Sequence, residues 1–142
     1  MIKQQIKKIL VPLDGSKNSL RGLEKAIYLA RQCQATITGL CVTPLYVGNF
    51  GRFTTSLKNQ SIKEAKKFMA DAKRLCAQNG VVFYEKIIID NYTSEIAQYA
   101  SEKKFDLLVI GSRGMNPVKE VFLGSVANYT VHKSKIPVLV VK

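Results

Sequence analysis

Residues 105–125 read FDLLVIGSRGMNPVKEVFLGS, and this stretch decides the fold of the chain. Its first part is an apolar run, and three of the nine glycines of the chain follow it at Gly111, Gly114 and Gly124. Glycine weakens helices and strands, and it is most useful where the backbone takes a positive φ or approaches another group closely. The stretch therefore predicts a buried strand followed by a turn that contacts either a ligand or another part of the protein.

Four more apolar runs rich in β-branched residues occur along the chain, and several have apolar residues at consecutive positions. Consecutive apolar residues are typical of parallel strands that are covered on both faces. The predicted strands are residues 9–13, 35–42, 81–89, 107–110 and 137–141.

Segments with a helical period lie between the predicted strands. The first helix carries Leu20, Leu23, Ile27 and Ala30 at helical spacing. The second is predicted to begin with a capping box at residues 61–64 and to stop at Asn79 and Gly80. A third is predicted from Ser94 to about Lys103, with Ile96, Ala97 and Ala100 inward, and a fourth from Gly124 and Ser125 to about Lys133.

This alternation of strands and helices predicts one doubly wound α/β domain over residues 1–142, with right-handed crossovers. Residues 43–60 are the exception, because they contain proline and glycine and show no clear period. A loop of that length is uncommon in a compact domain unless it is functional or disordered. We expect either a lid or a disordered segment there.

The chain is strongly basic, with 22 Lys and Arg against 10 Asp and Glu and a formal net charge of +12. Such an excess serves solubility, attracts anionic ligands or attracts a polyanion. The cations are spread along the sequence with no run of five and no zinc-finger or RNP pattern, so the sequence does not favour nucleic acid. We expect a mainly solvated surface.

The cysteines Cys33, Cys41 and Cys76 are odd in number and have no C-x-x-C spacing. This pattern is not typical of a disulfide framework or a zinc site and fits a reducing compartment. No stretch approaches the roughly 20 apolar residues of a membrane span, and the N-terminal apolar run is too short for a signal peptide. We expect a cytoplasmic protein.

Ligands of open α/β sheets bind beyond the carboxyl ends of strands where the strand order reverses. The first predicted strand is followed by Asp14, Gly15 and Ser16, and the fourth is followed by the glycine-rich stretch. Gly124 and Ser125 open a helix, whose unpaired N–H groups and dipole favour an anion. The chain holds neither a P-loop nor a G-x-G-x-x-G motif. From the residues alone, a phosphate site and simple turn and cap glycines both remain open.

The pattern Gly111-x2-Gly114-x9-Gly124-Ser125 resembles the nucleotide motif of the universal stress protein family. The resemblance covers nearly the whole chain and includes KKILVPLDGS (7–16), TSEIAQYA (93–100), DLLVIGSRG (106–114), LGSVANYTV (123–131) and IPVLVV (136–141). It implies a five-stranded parallel sheet of order 3-2-1-4-5 with helices on both faces. It also makes the first and fourth strands neighbours.

Members of the family that carry the glycine motif bind ATP, and this sequence keeps every motif position. The resemblance implies that Asp14 approaches the ribose, or the phosphates through Mg²⁺ or Mn²⁺, and that Pro12, Leu13 and Val42 border the adenine. Residues 111–116 then line the ribose and phosphates, and Gly124 to Val126 hold the phosphate tail. The implied site residues are Pro12, Leu13, Asp14, Val42, Gly111, Ser112, Arg113, Gly114, Met115, Asn116, Gly124, Ser125 and Val126.

Two positions depart from the common pattern of the family. Asp90 stands where many members have a glycine after the third strand, and Pro117 stiffens the stretch before Gly124. The one histidine, His132, falls near the end of the fourth helix, where histidine commonly meets the helix dipole. No catalytic residue is assigned.

Three functions are compared. The first is an ATP-dependent stress sensor that signals to an unidentified protein. It would work as a homodimer through the last strand, between Ile136 and Val141, because an apolar edge strand needs a partner. The second is a slow ATPase or autophosphorylating enzyme, which requires a positioned water for which no second carboxylate is evident. The third is a polyanion-binding module that uses the net positive charge.

Overall fold

A computed structural model describes residues 5–43, 51–90, 94–113 and 123–142 of the chain. Five strands alternate with four helices in these parts. The elements are β1 (Lys8–Pro12), α1 (Lys17–Cys33), β2 (Thr36–Thr43), α2 (Gly51–Gln78), β3 (Phe83–Ile89), α3 (Ser94–Glu102), β4 (Leu107–Gly111), α4 (Ser125–Lys133) and β5 (Val138–Val141).

The strands form one sheet in the order β3-β2-β1-β4-β5, and each neighbouring pair is parallel. The predicted α/β fold and strand order are confirmed. The chain moves outward in one direction from β1 through β2 to β3, then returns to β4 and moves outward in the other direction. The carboxyl ends of β1 and β4 therefore flank the point where the strand order reverses.

Each face of the sheet has its own helix layer and its own apolar core. Helices α1 and α2 cover the face on which Ile9 and Val11 of β1 are fully buried, and Met69 of α2 is fully buried in the same core. Helices α3 and α4 cover the face on which Leu10 and Leu108 are fully buried. Because successive strand residues point to opposite faces, burial on both faces requires the consecutive apolar residues that the sequence shows.

Helix α2 begins ten residues earlier than the sequence predicted. It starts at Gly51, so the predicted capping box at residues 61–64 is wrong and lies inside the helix. Residues 55–60 are all exposed, and a helical turn that faces no core needs no apolar period to mark it. The prediction of an irregular or disordered segment is therefore wrong for residues 51–60, the lid stays a prediction, and residues 44–50 lie outside the described residues.

The third and fourth helices match the prediction within one or two residues. Of the residues at helical spacing in the first helix, Leu23 and Ala30 are buried, whereas Leu20 is 44% exposed on α1. The last strand, β5, lies at an edge of the sheet as predicted. Within the described parts of the chain, no helix combines the length and apolar character that crossing a membrane requires.

Candidate functional site

The turn after β1 carries Asp14 at the carboxyl end of the sheet. An Asp14 Oδ1 atom accepts a hydrogen bond from the backbone N–H of Ser16 at 2.9 Å. Gly15 between them has a φ of +83°, which favours glycine. Ser16 then caps α1, because its Oγ accepts from the N–H of Ser19 at 3.1 Å. The turn thus holds an exposed carboxylate at the predicted crevice and leaves its second oxygen without a hydrogen bond in the described structure.

Helix α2 packs over this turn through Phe68. A Cβ added at Gly15 would lie 3.0 Å from Cδ2 and 3.3 Å from Cε2 of the Phe68 ring. Nothing in the sequence indicated this contact, since Phe68 reads as an ordinary member of the apolar period of α2. The contact connects the Asp14 turn to the longest helix of the fold.

Gly111, at the end of β4, lies against the first turn of α1. A Cβ at Gly111 would lie 2.5 Å from the carbonyl oxygen and 2.8 Å from the carbonyl carbon of Asn18. On the same side, a Cβ at Gly22 would lie 3.2 Å from the backbone nitrogen of Gly111. Close approach of two backbone segments therefore accounts for glycine at position 111 without any ligand. The predicted contact of Gly111 with a nucleotide stays a prediction.

The residues on both sides of the glycine-rich segment are joined to each other and to β5. The buried Ser112 donates its backbone N–H to the carbonyl of Val141 at 2.8 Å, and the Ser112 carbonyl accepts from the N–H of Gly124 at 2.6 Å. These two N–H groups are therefore already used within the protein. Arg113, which follows Ser112, is half-buried. The remaining residues that the sequence singled out in this segment lie outside the described residues, and they are Gly114, Met115, Asn116 and Pro117.

The start of α4 is an open helix N-terminus. Its N-cap residue, Gly124, makes no side-chain capping hydrogen bond, and the first turn contains no acidic residue. The intrahelical hydrogen bonds begin with the N–H of Asn128, which donates to the Gly124 carbonyl at 2.9 Å. The N–H groups of Ser125, Val126 and Ala127 therefore lack an intrahelical acceptor. Ser125 and Val126 are exposed, so this end of the helix is open to an anion.

The residues predicted to border an adenine are divided between the two faces of the sheet. Pro12 is paired in register with Leu40 on the α3–α4 face, and Val42 packs against the same core. Leu13 is buried in the core on the α1–α2 face. Pro12 and Val42 are thus brought to one side of the sheet end and Leu13 to the other.

Two side chains at this end of the sheet, a thiol and a carboxyl, have raised pKa values, and neither was assigned to the site from the sequence. Burial and then the negative charge of Asp14 raise the pKa of the Cys41 thiol to about 11. Desolvation and then Asp90, through charge and a hydrogen bond, raise the pKa of Glu95. Among the described residues, no three His, Cys, Asp or Glu side chains form a metal-binding group.

Comparison with known proteins gives the relationships of the chain. The model of the universal stress protein family matches residues 5–142. A universal stress protein of Bacillus subtilis, YxiE, is 33% identical over 150 residues, which cover 95% of this chain and 98% of that protein. The universal stress protein UspA of Lactobacillus plantarum has a solved structure that superposes with a TM-score of 0.91 at 24% identity, over 99% of this chain and 100% of that one.

Three further solved structures contain a nucleotide. They are a universal stress protein with cAMP, one of Archaeoglobus fulgidus with dAMP, and one of Arabidopsis thaliana with AMP. Their TM-scores lie between 0.73 and 0.77 at identities of 20–24%, over 96–98% of this chain and 91–99% of theirs. At these identities the likeness supports the fold. Because the family model matches residues 5–142, nearly the whole chain, this chain belongs to the universal stress protein family.

Proposed function

We propose that this protein binds an adenine nucleotide, ATP first among them, between the turn after β1 and the start of α4. One observation carries the proposal. The uncapped N-terminus of α4 is held against the end of β4 by the hydrogen bond from Gly124 to Ser112. That position is the strand-order reversal, where open α/β sheets bind ligands, and a helix N-terminus there favours phosphate.

The residues around this point have separate roles in the proposal. The N–H groups of Ser125 and Val126 and the Ser125 hydroxyl donate to the terminal phosphates, and residues 111–116 line the ribose and phosphates. Asp14 faces the ribose, or holds Mg²⁺ or Mn²⁺ carried by the phosphates. Pro12 and Val42 contact one side of the adenine, and Leu13 closes the floor of the crevice from the other face of the sheet.

The nucleotides in related structures support the choice of ligand. Those proteins hold cAMP, dAMP or AMP, so adenine and a single phosphate are common to all three, while the sugar of dAMP and the cyclic phosphate of cAMP differ from those of AMP. This chain keeps Gly111, Gly114 and Gly124 at the spacing that resembles the motif of the family members that bind ATP. ATP is therefore the proposed ligand, with AMP as the comparison.

The nucleotide acts as a signal in this proposal, and the protein works as a homodimer that passes it to another protein. The edge position of β5 supports the homodimer, because Leu139 is 37% exposed there and one edge of the strand has no partner within the described chain. The contact of Phe68 with Gly15 supports the proposed signalling role, because it connects the Asp14 turn, which would contact the nucleotide, with helix α2.

Isothermal titration tests the proposal with ATP and AMP, each with and without Mg²⁺. Wild-type protein is expected to bind ATP with a dissociation constant of about 1 μM, or about −8 kcal/mol. Asp14→Asn keeps the oxygen that accepts from Ser16 and removes the charge. It is expected to weaken ATP binding at least about tenfold with Mg²⁺ and less without it.

Asp71→Asn is the matched control, because Asp71 is an exposed carboxylate on α2 whose described ion pair, with Arg74, is local. It is expected to bind ATP as the wild type does. Absence of ATP and AMP binding by the wild type would overturn the proposal. Equal effects of the two Asp→Asn changes would remove Asp14 from the site.

A further inference from the structure

Six lysines that are far apart in the sequence lie at the amino edge of the sheet, opposite the crevice. They belong to the start of β1, the turn between α3 and β4, and the turn between α4 and β5. We call this group the lysine edge. Its members, all exposed, are Lys7, Lys8, Lys103, Lys104, Lys133 and Lys135.

Direct contacts join the first two of these segments. The Asp106 carboxylate accepts the backbone N–H groups of Lys7 and Lys8, each at 2.9 Å. The Lys8 ammonium donates to the carbonyl of Lys103 at 2.6 Å and lies 4.6 Å from the centroid of the Phe105 ring. The start of β1 is therefore fixed against the turn that carries Lys103 and Lys104.

The third segment is joined to β4. The N–H of Leu108 donates to the carbonyl of Pro137 at 3.0 Å, and the Ser134 hydroxyl donates to the carbonyl of Ile136 at 2.8 Å. The turn that carries Lys133 and Lys135 therefore lies beside the start of β4. Since neighbouring strands are about 4.8 Å apart, the three strand starts place the lysines along roughly 10 Å of edge.

The positive charge of the lysine edge is only partly offset. Two carboxylates share the region, Glu102 and Asp106, so six lysines against two carboxylates leave a local excess of four positive charges. The two carboxylates accept from the Gln98 amide and from backbone N–H groups respectively. The ion pair found between described residues joins Arg74 to Asp71, so none of the six lysines has a carboxylate partner in the described parts of the chain. The cations that look dispersed in the sequence thus converge in space.

Helix dipoles explain only part of this group. Lysine near a helix C-terminus is stabilised by the dipole, which accounts for Lys103 and Lys133. It does not account for Lys7 and Lys8 at a strand start. Nor does it account for Lys104, which has a φ of +56° at a position where helices commonly place glycine. A side chain there costs roughly 1 kcal/mol, so this lysine lies at a position where glycine is the more stable residue.

We propose that the lysine edge binds the phosphate backbone of duplex nucleic acid, without regard to base sequence. Lysines are point charges that contact phosphates, and a duplex presents roughly one charge per 1.7 Å of its axis. None of the exposed large apolar side chains of the described chain lies within residues 5–8, 101–106 or 133–137. Membrane-surface binding commonly adds an inserted apolar face, and single-strand binding adds aromatic stacking. This edge has neither, and a duplex requires neither.

Fluorescence anisotropy with a labelled DNA duplex of about 20 base pairs, titrated with the full-length protein at several salt concentrations, tests the proposal. The test variant is Lys103→Gln/Lys104→Gly/Lys135→Gln. The control variant is Lys25→Gln/Lys63→Gln/Lys86→Gln, which removes the same charge from exposed positions elsewhere. The test variant is expected to bind at least about tenfold more weakly at low salt and the control less than about threefold. The slope of log K against log salt is expected to fall by about 2–3 in the test variant alone.

A second pair of variants shows whether a loss of duplex binding is caused by a change in folding stability. Gln34, after α1, has a φ of 55°, so Gln34→Gly and Lys104→Gly relieve the same backbone conformation. Both are expected to raise the melting temperature, and Lys104→Gly alone is expected to weaken duplex binding. Equal weakening by the two triple variants, or no duplex binding by the wild type at low salt, would overturn the proposal. Binding to phosphatidylserine vesicles without binding to duplex would overturn it in favour of a membrane surface.

Discussion

Gly111 and Asn18 are in such close backbone contact that a single methyl group does not fit between them. A Cβ at Gly111 would lie 2.5 Å from the Asn18 carbonyl oxygen. That oxygen belongs to the backbone of the first turn of α1, which cannot shift without moving the helix. The contact fixes the start of α1 beside the end of β4.

Gly111→Ala is predicted to destabilise the protein by about 1–3 kcal/mol, because the backbone of α1 must shift to admit the methyl group. Urea unfolding followed by circular dichroism measures the change. Gly80→Ala is the comparison, since nothing lies within 4 Å of its Cβ position and its φ of +73° is the main cost. It is expected to cost about 1 kcal/mol. A Gly111→Ala variant as stable as the wild type would show that α1 is not fixed by this contact.

Gly124→Asp is predicted to stabilise the free protein and to abolish ATP binding. Gly124 has φ −63° and ψ 162°, which any residue adopts, and an aspartate there caps the open N–H groups of α4. The gain is about 0.5 kcal/mol from capping and the helix dipole. The carboxylate then occupies the position of the phosphate tail.

Gly124→Asn separates the two effects, because it caps the helix without adding charge. Calorimetry is expected to rank ATP affinity as wild type, then Asn, then Asp, while thermal unfolding shows both variants at least as stable as the wild type. Undiminished ATP binding by the Asp variant would exclude the start of α4 as the phosphate site.

The buried thiols Cys41 and Cys76 are predicted to make the protein less stable as the pH rises from 9 to 11. Burial raises the pKa of each from 9.0 to about 11 in the folded state, with Asp14 adding to the shift for Cys41. Between these values the unfolded chain releases thiol protons that the folded chain keeps, so the free energy of unfolding falls with increasing pH. One pKa unit corresponds to about 1.4 kcal/mol for each thiol.

Denaturant unfolding at pH 8, 9.5 and 11 measures this loss. Cys76→Ala is expected to be less stable at pH 8, because a fully buried side chain is shortened, and to lose less stability on going to pH 11. Reaction of the native protein with a thiol reagent at pH 8 gives an independent check. Cys33, which is half-buried, is expected to react well before the other two. Equal losses of stability between pH 8 and pH 11 in the wild type and in Cys76→Ala would contradict the prediction.

Leu139→Lys is predicted to convert the proposed homodimer into monomers. Leu139 is 37% exposed on the edge strand β5, so a lysine there places like charges across a two-fold contact. Light scattering after gel filtration measures the mass. Tyr84→Lys on the opposite edge strand, β3, is the control, because Tyr84 is 57% exposed there. Dissociation by Tyr84→Lys and not by Leu139→Lys would place the interface on the other edge.

The strands were predictable from the sequence because burial on both faces leaves consecutive apolar residues such as Leu107 to Ile110. Their order was not, since an apolar run does not specify its neighbour, and the resemblance to a family supplied it. The start of α2 was missed because residues 55–60 are exposed, and exposed helical residues need no apolar period. The reason for glycine at position 111 was not predictable, because the residue it contacts, Asn18, is distant in the sequence. The convergence of Lys8 with Lys103 was hidden in the same way.

The hydrogen bond between Gly124 and Ser112 joins the two ends of the segment between them. This hydrogen bond keeps the end of β4 beside the start of α4 through contacts that lie outside the segment itself. In the nucleotide site proposed above, residues 111–116 line the ribose and phosphates. Exchanging the segment between members of the family, with Ser112 and Gly124 retained, therefore tests whether it determines which nucleotide is bound.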